Sequence, residues 1–177
     1  MGGAVRAVVT VTFIGLKAGL FTGQAADYRG EVIYADLDVP KVAFAGLPPF
    51  AELLSRSTLP RRARDAHKGC FGHLLLIGGN LGFSGAIRLA GEAALRAGAG
   101  LVSIATRPEH VVCLNLGRPE LMCHGVEGAQ SLGRLLEKAT AVVIGPGLGQ
   151  DDWARSLFET LMANDKPCVV DADALNL

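Results

Sequence analysis

The stretch HLLLIGGNLGFSGAIRLAGEAALRAG, residues 73–98, decides the fold class of this chain. An apolar run from Leu74 to Ile77 ends in a glycine-rich loop, and a segment with apolar residues at helical spacing follows until Gly98. A strand, a loop and a helix in this order form the first half of a β-α-β unit. The stretch therefore predicts an α/β fold with a mainly parallel sheet.

The same alternation of apolar runs and helical segments continues to the end of the chain. The pattern predicts strands at residues 101–105, 121–123, 141–144 and 168–171, and helices at 107–116, 131–139 and 151–163. A sheet of about four strands without a closing helix is small for a finished domain. We therefore expect that a C-terminal part beyond Leu177 is missing.

Two strand-like runs, VVTVTFIGL and GEVIYADLDV, lie within residues 1–48. Arg6 and the apolar residues after it imitate a signal peptide, but the alternation from Val9 to Phe13 has β periodicity, and the run is too short to span a bilayer. The sequence therefore predicts strands here, no membrane segment and a cytoplasmic protein. Because two strands cannot bury a core alone, we expect this part to be truncated as well.

The character of the chain changes between Leu47 and His67. Prolines surround a short stretch from Ala51 to Arg56 that is predicted to be helical, and a basic cluster of Arg61, Arg62 and Arg64 follows. We interpret this region as a linker with a solvated basic cluster rather than a phosphate or nucleic-acid patch.

The composition excludes several function classes. Lys and Arg total 17, equal to Asp and Glu, and aromatic residues make up only 6% of the 177 residues, so nucleic acid is not an expected partner. Four cysteines without a C-x-x-C pair suggest buried free thiols in a reducing compartment. Four histidines without paired spacing predict no zinc site.

Two glycine-rich loops are candidates for ligand contact. The loop at residues 78–85 has four glycines between a strand and a helix, where backbone N–H groups can approach a phosphate, but it matches neither the Rossmann nor the Walker A pattern. A plain tight turn explains this loop equally well. The loop GPGLG at residues 145–149 favours ligand contact over a turn before a helix that Asp151 or Asp152 would cap.

Acidic residues end the last predicted strand. Asp171 and Asp173, with Asn176 close behind, could hold Mg²⁺ through water or accept a hydrogen bond from a hydroxyl. Capping of a following helix explains them equally well. His67 and Lys68 could meet phosphates, although we favour the interpretation as a loop charge.

Four motifs in register resemble the ADP- or ATP-dependent NAD(P)H-hydrate dehydratase family, which has a ribokinase-like three-layer α/β/α fold. They are HKGCFGHLLLIGGNLGFSGAIRLAGEAALRAGAGLVSIAT (67–106), PELM (119–122), AVVIGPGLG (141–149) and VVDADALNL (169–177). The stretch TVTFIGLKAGLFTGQAADYRGEV resembles the tail of an NAD(P)H-hydrate epimerase domain, and LPRRARDAHKG resembles the joint between the two. The resemblance implies an epimerase remnant at 1–48, a linker at 49–66 and the N-terminal part of a dehydratase at 67–177.

The resemblance also implies a reaction. The family dehydrates the S-hydrate of NADH or NADPH, consuming ADP in bacteria or ATP in eukaryotes, by phosphorylating the hydrate hydroxyl and eliminating phosphate. By position, Ala86 and Gly147 match family contacts to the hydrated nicotinamide nucleotide. The residues that would line the same crevice come from the two loops and the last strand end: Gly79, Asn80, Gly85, Gly145, Asp171 and Asp173.

The chain also departs from the family pattern. The family's catalytic Asp lies in a G-T-G-D motif that follows a T-P-H-x-G-E segment, and neither occurs in this sequence. The catalytic and K⁺-binding residues of the epimerase would lie upstream of Met1. We therefore assign no catalytic residue and expect this polypeptide alone to be inactive in both reactions.

Two alternatives to a dehydratase stay open. One is a ribokinase-like kinase of a small alcohol such as a vitamin precursor, and the other is a non-enzymatic truncated remnant. The choice between NADH and NADPH hydrate, the choice between ADP and ATP, and possible assembly into a homo-oligomer also stay open.

Overall fold

The computed structural model describes residues 3–54, 59 and 61–177. The chain divides into two compact units, Met1–Pro60 and Arg61–Leu177. The predicted helical stretch from Ala51 to Arg56 is wrong for residues 51–54, which are not helical, and residues 55 and 56 lie outside the described part. Leu53 and Leu54 are 63% and 94% exposed, and so short a helix is not stable without a packed apolar face.

The first unit is built on a pair of parallel strands. Strand β1 (Val9–Phe13) pairs with β2 (Glu31–Ala35), and a 3₁₀ turn (Ala18–Leu20) and the one-turn helix α1 (Ala25–Tyr28) connect them. A second 3₁₀ turn (Lys41–Phe44) follows. The two strands predicted for this part of the chain are therefore confirmed. Val11 and Phe13 remain about half exposed, since the described residues of this unit form no second layer to cover them.

The second unit contains a sheet of five parallel strands in the order β5-β4-β3-β6-β7. The strands are β3 (His73–Ile77), β4 (Leu101–Thr106), β5 (Leu121–Gly125), β6 (Ala141–Ile144) and β7 (Cys168–Val170). The helices are α2 (Ser84–Ala97), α3 (Val111–Leu114), α4 (Ala129–Lys138), α5 (Asp152–Met162) and α6 (Ala172–Leu175), with 3₁₀ turns at Lys68–Phe71 and Pro108–His110. The predicted parallel α/β sheet is confirmed, and its five strands lie at the five positions where the sequence predicts strands.

Helices cover both faces of this sheet. Successive residues of a strand point to opposite faces, so Leu75 and Ile77 of β3 pack with α4 and α5, while Leu76 packs with Ile87 of α2 and with α3. Each of these side chains is at most 1% exposed, and full burial of one contributes about 1.5–3 kcal/mol. The three-layer α/β/α arrangement that the family resemblance implies is therefore confirmed.

Helix ends in this unit follow local sequence signals. Helix α2 ends at Gly98, whose φ of +107° suits glycine, as the sequence predicts. Arg62 donates from Nη2 to the Gly98 carbonyl oxygen at 2.5 Å, and its guanidinium lies 3.9 Å from the centroid of the Phe71 ring. One member of the basic cluster is thus not simply solvated, because its charge complements a helix C-terminus. In the described ranges, no helix combines the length and the apolar character that crossing a bilayer requires.

The cysteines are free but differ from the prediction in their burial. Cys70, Cys113 and Cys168 are exposed, and Cys123 is only partly buried. The expectation of buried thiols is therefore wrong. Cys168 lies on β7, which is an edge strand of the sheet, and the other two exposed thiols lie on short helical turns. Burial, with a smaller effect of Cys113, raises the pKa of the Cys123 thiol and keeps it protonated at neutral pH.

Two histidines share one buried hydroxyl beneath helix α4. His73 Nε2 lies 2.9 Å from Ser103 Oγ, and His124 Nε2 lies 3.4 Å from the same atom. Ser103 is 2% exposed. Burial lowers the pKa of His124, and the nearby His73 and Lys138 add to this effect. The folded protein therefore favours the neutral imidazole at position 124.

We expect the free energy of unfolding to fall as the pH decreases below about 6.5, the ordinary pKa of histidine. Because the pKa of His124 is lower in the folded chain, the unfolded state binds more protons in this range, so the stabilisation is complete above it and declines towards the folded pKa. Urea unfolding across this range should show a smaller decline for His124→Gln than for the wild type. His67→Gln, at an exposed histidine, serves as the control, and an undiminished decline in His124→Gln would contradict the assignment.

Candidate functional site

The connections of the sheet diverge between its two central strands. From β3 the chain passes through α2 to β4 on one side, and from β6 it passes through α5 to β7 on the other side. In open parallel sheets, ligands bind in the crevice outside the carboxyl ends of the strands at such a switch point. Both glycine-rich loops, at residues 78–85 and 145–149, begin there.

Backbone hydrogen bonds join the two loops directly. The Gly79 N–H donates to the Pro146 carbonyl oxygen at 2.9 Å, and the Asn80 N–H donates to the Gly147 carbonyl oxygen at 2.7 Å. Strand pairing between β3 and β6 continues into this contact through the Gly145 N–H, which donates to Ile77 at 3.1 Å. Residues distant in the sequence thus form one surface.

Gly147 lies where a side chain would separate the loops. Its φ is +61°, and a Cβ atom there would lie 2.7 Å from the Cβ of Phe83 and 3.2 Å from that of Ala86. Gly145, with a φ of +131°, meets Asp171 in the same way, with 2.7 Å to the Cβ of that residue. The structure therefore brings together Ala86 and Gly147, and it brings Gly145 against the end of β7.

The glycines of the first loop differ in their surroundings. Gly79 has a φ of +68° and contacts Ile87, and its carbonyl oxygen accepts from Thr106 Oγ1 at 2.8 Å and lies 3.0 Å from His110 Nδ1. A Cβ atom at Gly85, by contrast, would meet nothing within 4 Å. Packing therefore requires glycine at position 79, while position 85 faces open space.

The side chain of Asn80 is 7% exposed and is used within the protein. Its Nδ2 donates to the Leu148 carbonyl oxygen at 3.0 Å, and its Oδ1 accepts from the Leu81 N–H at 2.8 Å and from Arg107 Nε at 2.8 Å. Asn80 thus joins the first loop to the second and to the end of β4.

The acidic residues after β7 lie beside the second loop. Asp173 Oδ2 accepts from the Gly149 N–H at 3.1 Å. Asp171 is exposed and begins helix α6 through its backbone oxygen, which accepts from Ala174, while its side chain makes no capping hydrogen bond. Asn176 is exposed just past that helix. The Asp171 carboxylate therefore does not cap α6, and the Asp173 carboxylate is bonded to the second loop instead.

Three residues that sequence reasoning did not assign to the site lie against these loops. Arg107 Nη2 donates to Asp151 Oδ2 at 2.7 Å, and its guanidinium lies 4.4 Å from the centroid of the Trp153 ring. Asp151 also caps helix α5 by accepting from the Ala154 N–H at 2.9 Å, which decides between the two candidate caps, Asp151 and Asp152. The position of Arg107 directly after a buried strand is the signal that could have identified it.

The Asp151 carboxylate is stabilised in its charged form. Burial raises its pKa, but the nearby Asn80 amide, the hydrogen bond from the Ala154 N–H, and the charge and hydrogen bond of Arg107 together hold the pKa below the ordinary value. The ion pair with Arg107 is therefore present throughout the neutral range.

A comparison with known protein families matches a continuous part of the chain that contains both glycine-rich loops. A family model described as NAD(P)H-hydrate dehydratase matches residues 74–177, which include both loops and the acidic segment. The chain belongs to this family. The NAD(P)H-hydrate dehydratase family resemblance seen in the sequence is thus confirmed.

Two curated relatives illustrate how much of each protein matches. The bifunctional NAD(P)H-hydrate repair enzyme Nnr of Coxiella burnetii is 53% identical over 99% of this chain, which spans 37% of that relative. The ADP-dependent (S)-NAD(P)H-hydrate dehydratase of Staphylococcus aureus is 36% identical over 71% of this chain and 47% of its own length. The chain therefore spans less than half the length of either relative.

A solved structure supports the same family. The ADP/ATP-dependent NAD(P)H-hydrate dehydratase of Bacillus subtilis, co-crystallised with ATP and Mg²⁺, is 33% identical and has a TM-score of 0.59 over 67% of this chain and 43% of that chain. The ribokinase-like α/β fold that the family resemblance implies is thereby confirmed.

We expect Gly147→Ala to lower the free energy of unfolding by about 1–3 kcal/mol, because alanine is strained at positive φ and its Cβ would meet Phe83. Gly133→Ala is the matched control. Position 133 lies within α4 with nothing within 4 Å of the added Cβ, so the same substitution should stabilise by up to about 1 kcal/mol. Denaturant unfolding measures both variants, and equal effects would show that Gly147 has no packing role.

Proposed function

We propose that the crevice formed by the two loops is the hydrate-binding side of an ADP-dependent (S)-NAD(P)H-hydrate dehydratase. The observation that carries this proposal is the meeting of Ala86 and Gly147 at the switch point, where a Cβ on Gly147 would lie 3.2 Å from Ala86. Two positions chosen for their resemblance to family substrate contacts are thus neighbours in space. Family membership and the S. aureus relative's ADP dependence support the substrate and the nucleotide.

The shape and chemistry of the crevice suit a flat, hydrated nicotinamide ring. Gly85 leaves open space at the start of α2, and Phe83 and Leu81, 58% and 56% exposed, offer apolar surface beside it. Gly79, Asn80 and Gly145 would contribute to the same wall mainly through backbone, since the Asn80 amide is committed to Leu148 and Arg107. A wall of backbone and small residues lets a bulky ligand approach closely.

The acidic segment fits a role with Mg²⁺ and the nucleotide. Mg²⁺ is usually held by one or two carboxylates together with water and phosphate oxygens. Asp171 and Asp173 supply two carboxylates at a strand end, and Asp171 is exposed with no capping hydrogen bond. Among the described residues no larger group of metal-ligating side chains gathers. Asp171 and Asp173 would hold the ion, which when bound neutralises phosphate charge, and Asn176 would meet a hydroxyl or water nearby.

We further propose the domain assignment that the resemblance implies. Residues 1–48 would belong to an epimerase domain, 49–66 to a linker and 67–177 to the dehydratase. The bifunctional C. burnetii relative matches across 99% of this chain, which supports an epimerase-like segment in front. K⁺ is expected only with the epimerase part, and no residue of this chain is assigned to it.

We expect the purified 177-residue chain to bind the S-hydrate of NADPH or NADH in isothermal titration calorimetry. It should not bind a hydroxymethylpyrimidine or thiazole alcohol, because those would suit a kinase of a small vitamin precursor. Binding of such an alcohol without binding of either hydrate would reverse the proposal.

The variant Gly85→Ala separates ligand contact from folding. Because the added Cβ meets nothing within 4 Å and lies at a helical position, stability should change by no more than about 1 kcal/mol, in favour of alanine. Affinity for the hydrate should nevertheless fall, since the methyl group occupies open space of the crevice. Calorimetry and thermal unfolding of the variant, with Gly133→Ala as the control, would measure this. Unchanged affinity would remove Gly85 from the site.

A further inference from the structure

Arg107 lies at a place where three parts of the switch point meet. It directly follows β4, its Nε donates to Asn80 of the first loop at 2.8 Å, and its Nη2 donates to Asp151 at the start of α5 at 2.7 Å. Its side chain is 23% exposed. A planar guanidinium can make both hydrogen bonds while its face packs on Trp153, whereas a lysine ammonium cannot reproduce this fixed fork.

The orientation of the Asn80 amide depends on this contact. Oδ1 faces two N–H donors, from Leu81 and Arg107, while Nδ2 faces the Leu148 carbonyl oxygen. A flipped amide would point its donor at both N–H groups and its oxygen at a carbonyl, so only one orientation satisfies all the partners. Arg107 is thus one of three partners, with Leu81 and Leu148, that hold the amide state in which Asn80 joins the two loops, and it is the only one of the three that binds through its side chain.

The anchor of Arg107 is rigid on its other side. Trp153 is 6% exposed, and its Nε1 donates to the Val126 carbonyl oxygen at 2.7 Å, so the indole beneath the guanidinium is fixed in the core. Asp151 is fixed by its capping hydrogen bond to Ala154. Rigid support of this kind is what keeps a binding loop in its productive geometry.

We infer that Arg107 is a positioning residue of the hydrate site, which holds the loop of Ala86 against the loop of Gly147 through Asn80. This inference rests on the proposed function for its ligand, but not for the loop geometry that it predicts. Arg107 acts through another residue, so its loss should disturb the loops before it disturbs the fold.

The first test observes the loops without any ligand. Amide hydrogen exchange by NMR should become faster in Arg107→Ala at Gly79 and Asn80, whose N–H groups donate to Pro146 and Gly147. Amides in the centre of α4 should exchange at the wild-type rate. Arg134→Gln, at an exposed position in α4, is the control and should change neither set. Unchanged exchange at Gly79 and Asn80 would overturn the inference, whether or not the chain binds a hydrate.

The second test uses calorimetry with NADPH S-hydrate. Arg107→Ala and Arg107→Lys should both weaken binding about tenfold or more, as expected when a supporting contact of a site is lost, while the thermal midpoint stays close to that of the wild type. Added methylguanidinium should restore binding to Arg107→Ala. It should not change the affinity of the control Arg134→Gln, which is expected to bind like the wild type. The inference would be overturned if Arg107→Ala bound the hydrate with wild-type affinity. It would also be overturned if Arg107→Lys bound with wild-type affinity, because a charge without the guanidinium fork would then be enough.

The two tests separate the inference from the proposed function. If the wild-type chain binds neither hydrate while Arg107→Ala still loosens Gly79 and Asn80, the proposed function fails and the positioning role stands for the loops. If the hydrate binds to the wild type and to Arg107→Ala alike, the proposed function stands and the inference fails.

Discussion

The candidate site of this chain depends on the contact between two backbone segments that have no room for side chains between them. The hydrogen bonds from Gly79 to Pro146 and from Asn80 to Gly147 extend the pairing of β3 and β6 past the ends of the strands. Positive φ at Gly79 and Gly147 makes this approach possible, and a Cβ at either position would meet a neighbour. The crevice between the loops and the closeness of Ala86 to Gly147 both follow from that contact.

Two charged side chains, Asp151 and Arg107, lie beside this contact, and both are held in place by neighbouring groups. Asp151 caps a helix and binds Arg107, which in turn holds Asn80 and lies on Trp153. Each of these polar side chains has a hydrogen-bond partner, so the contact between the loops leaves few buried polar groups without one. The apolar layers beneath, with Leu75, Leu76 and Ile77 at most 1% exposed, supply the stiffness on which this arrangement is built.

The two units differ in how far their strands are covered by other elements. In Arg61–Leu177 five strands are covered by helices on both faces, and all the apolar side chains that are buried in the described residues belong to this unit. In Met1–Pro60 a single pair of strands leaves Val11 and Phe13 about half exposed. The difference follows from the number of layers, because a strand buries its apolar residues only against another element.

The sequence by itself determined the α/β class, the order of strands and helices in residues 73–171 and the end of α2 at Gly98, because these depend on residue spacing and local backbone preference. It placed the cap of α5 at Asp151 or Asp152, and the structure decided for Asp151. Family resemblance also indicated Ala86 and Gly147 without showing why they belong together. The residue pattern wrongly predicted that Cys70, Cys113 and Cys168 are buried and that a helix begins at Ala51. Both features depend on what packs against a segment, which the local sequence does not contain. The tertiary structure alone decided that residues 79–80 pair with 146–147 and that Arg107 joins Asn80 to Asp151, because strand order, which no local pattern encodes, sets which loops meet.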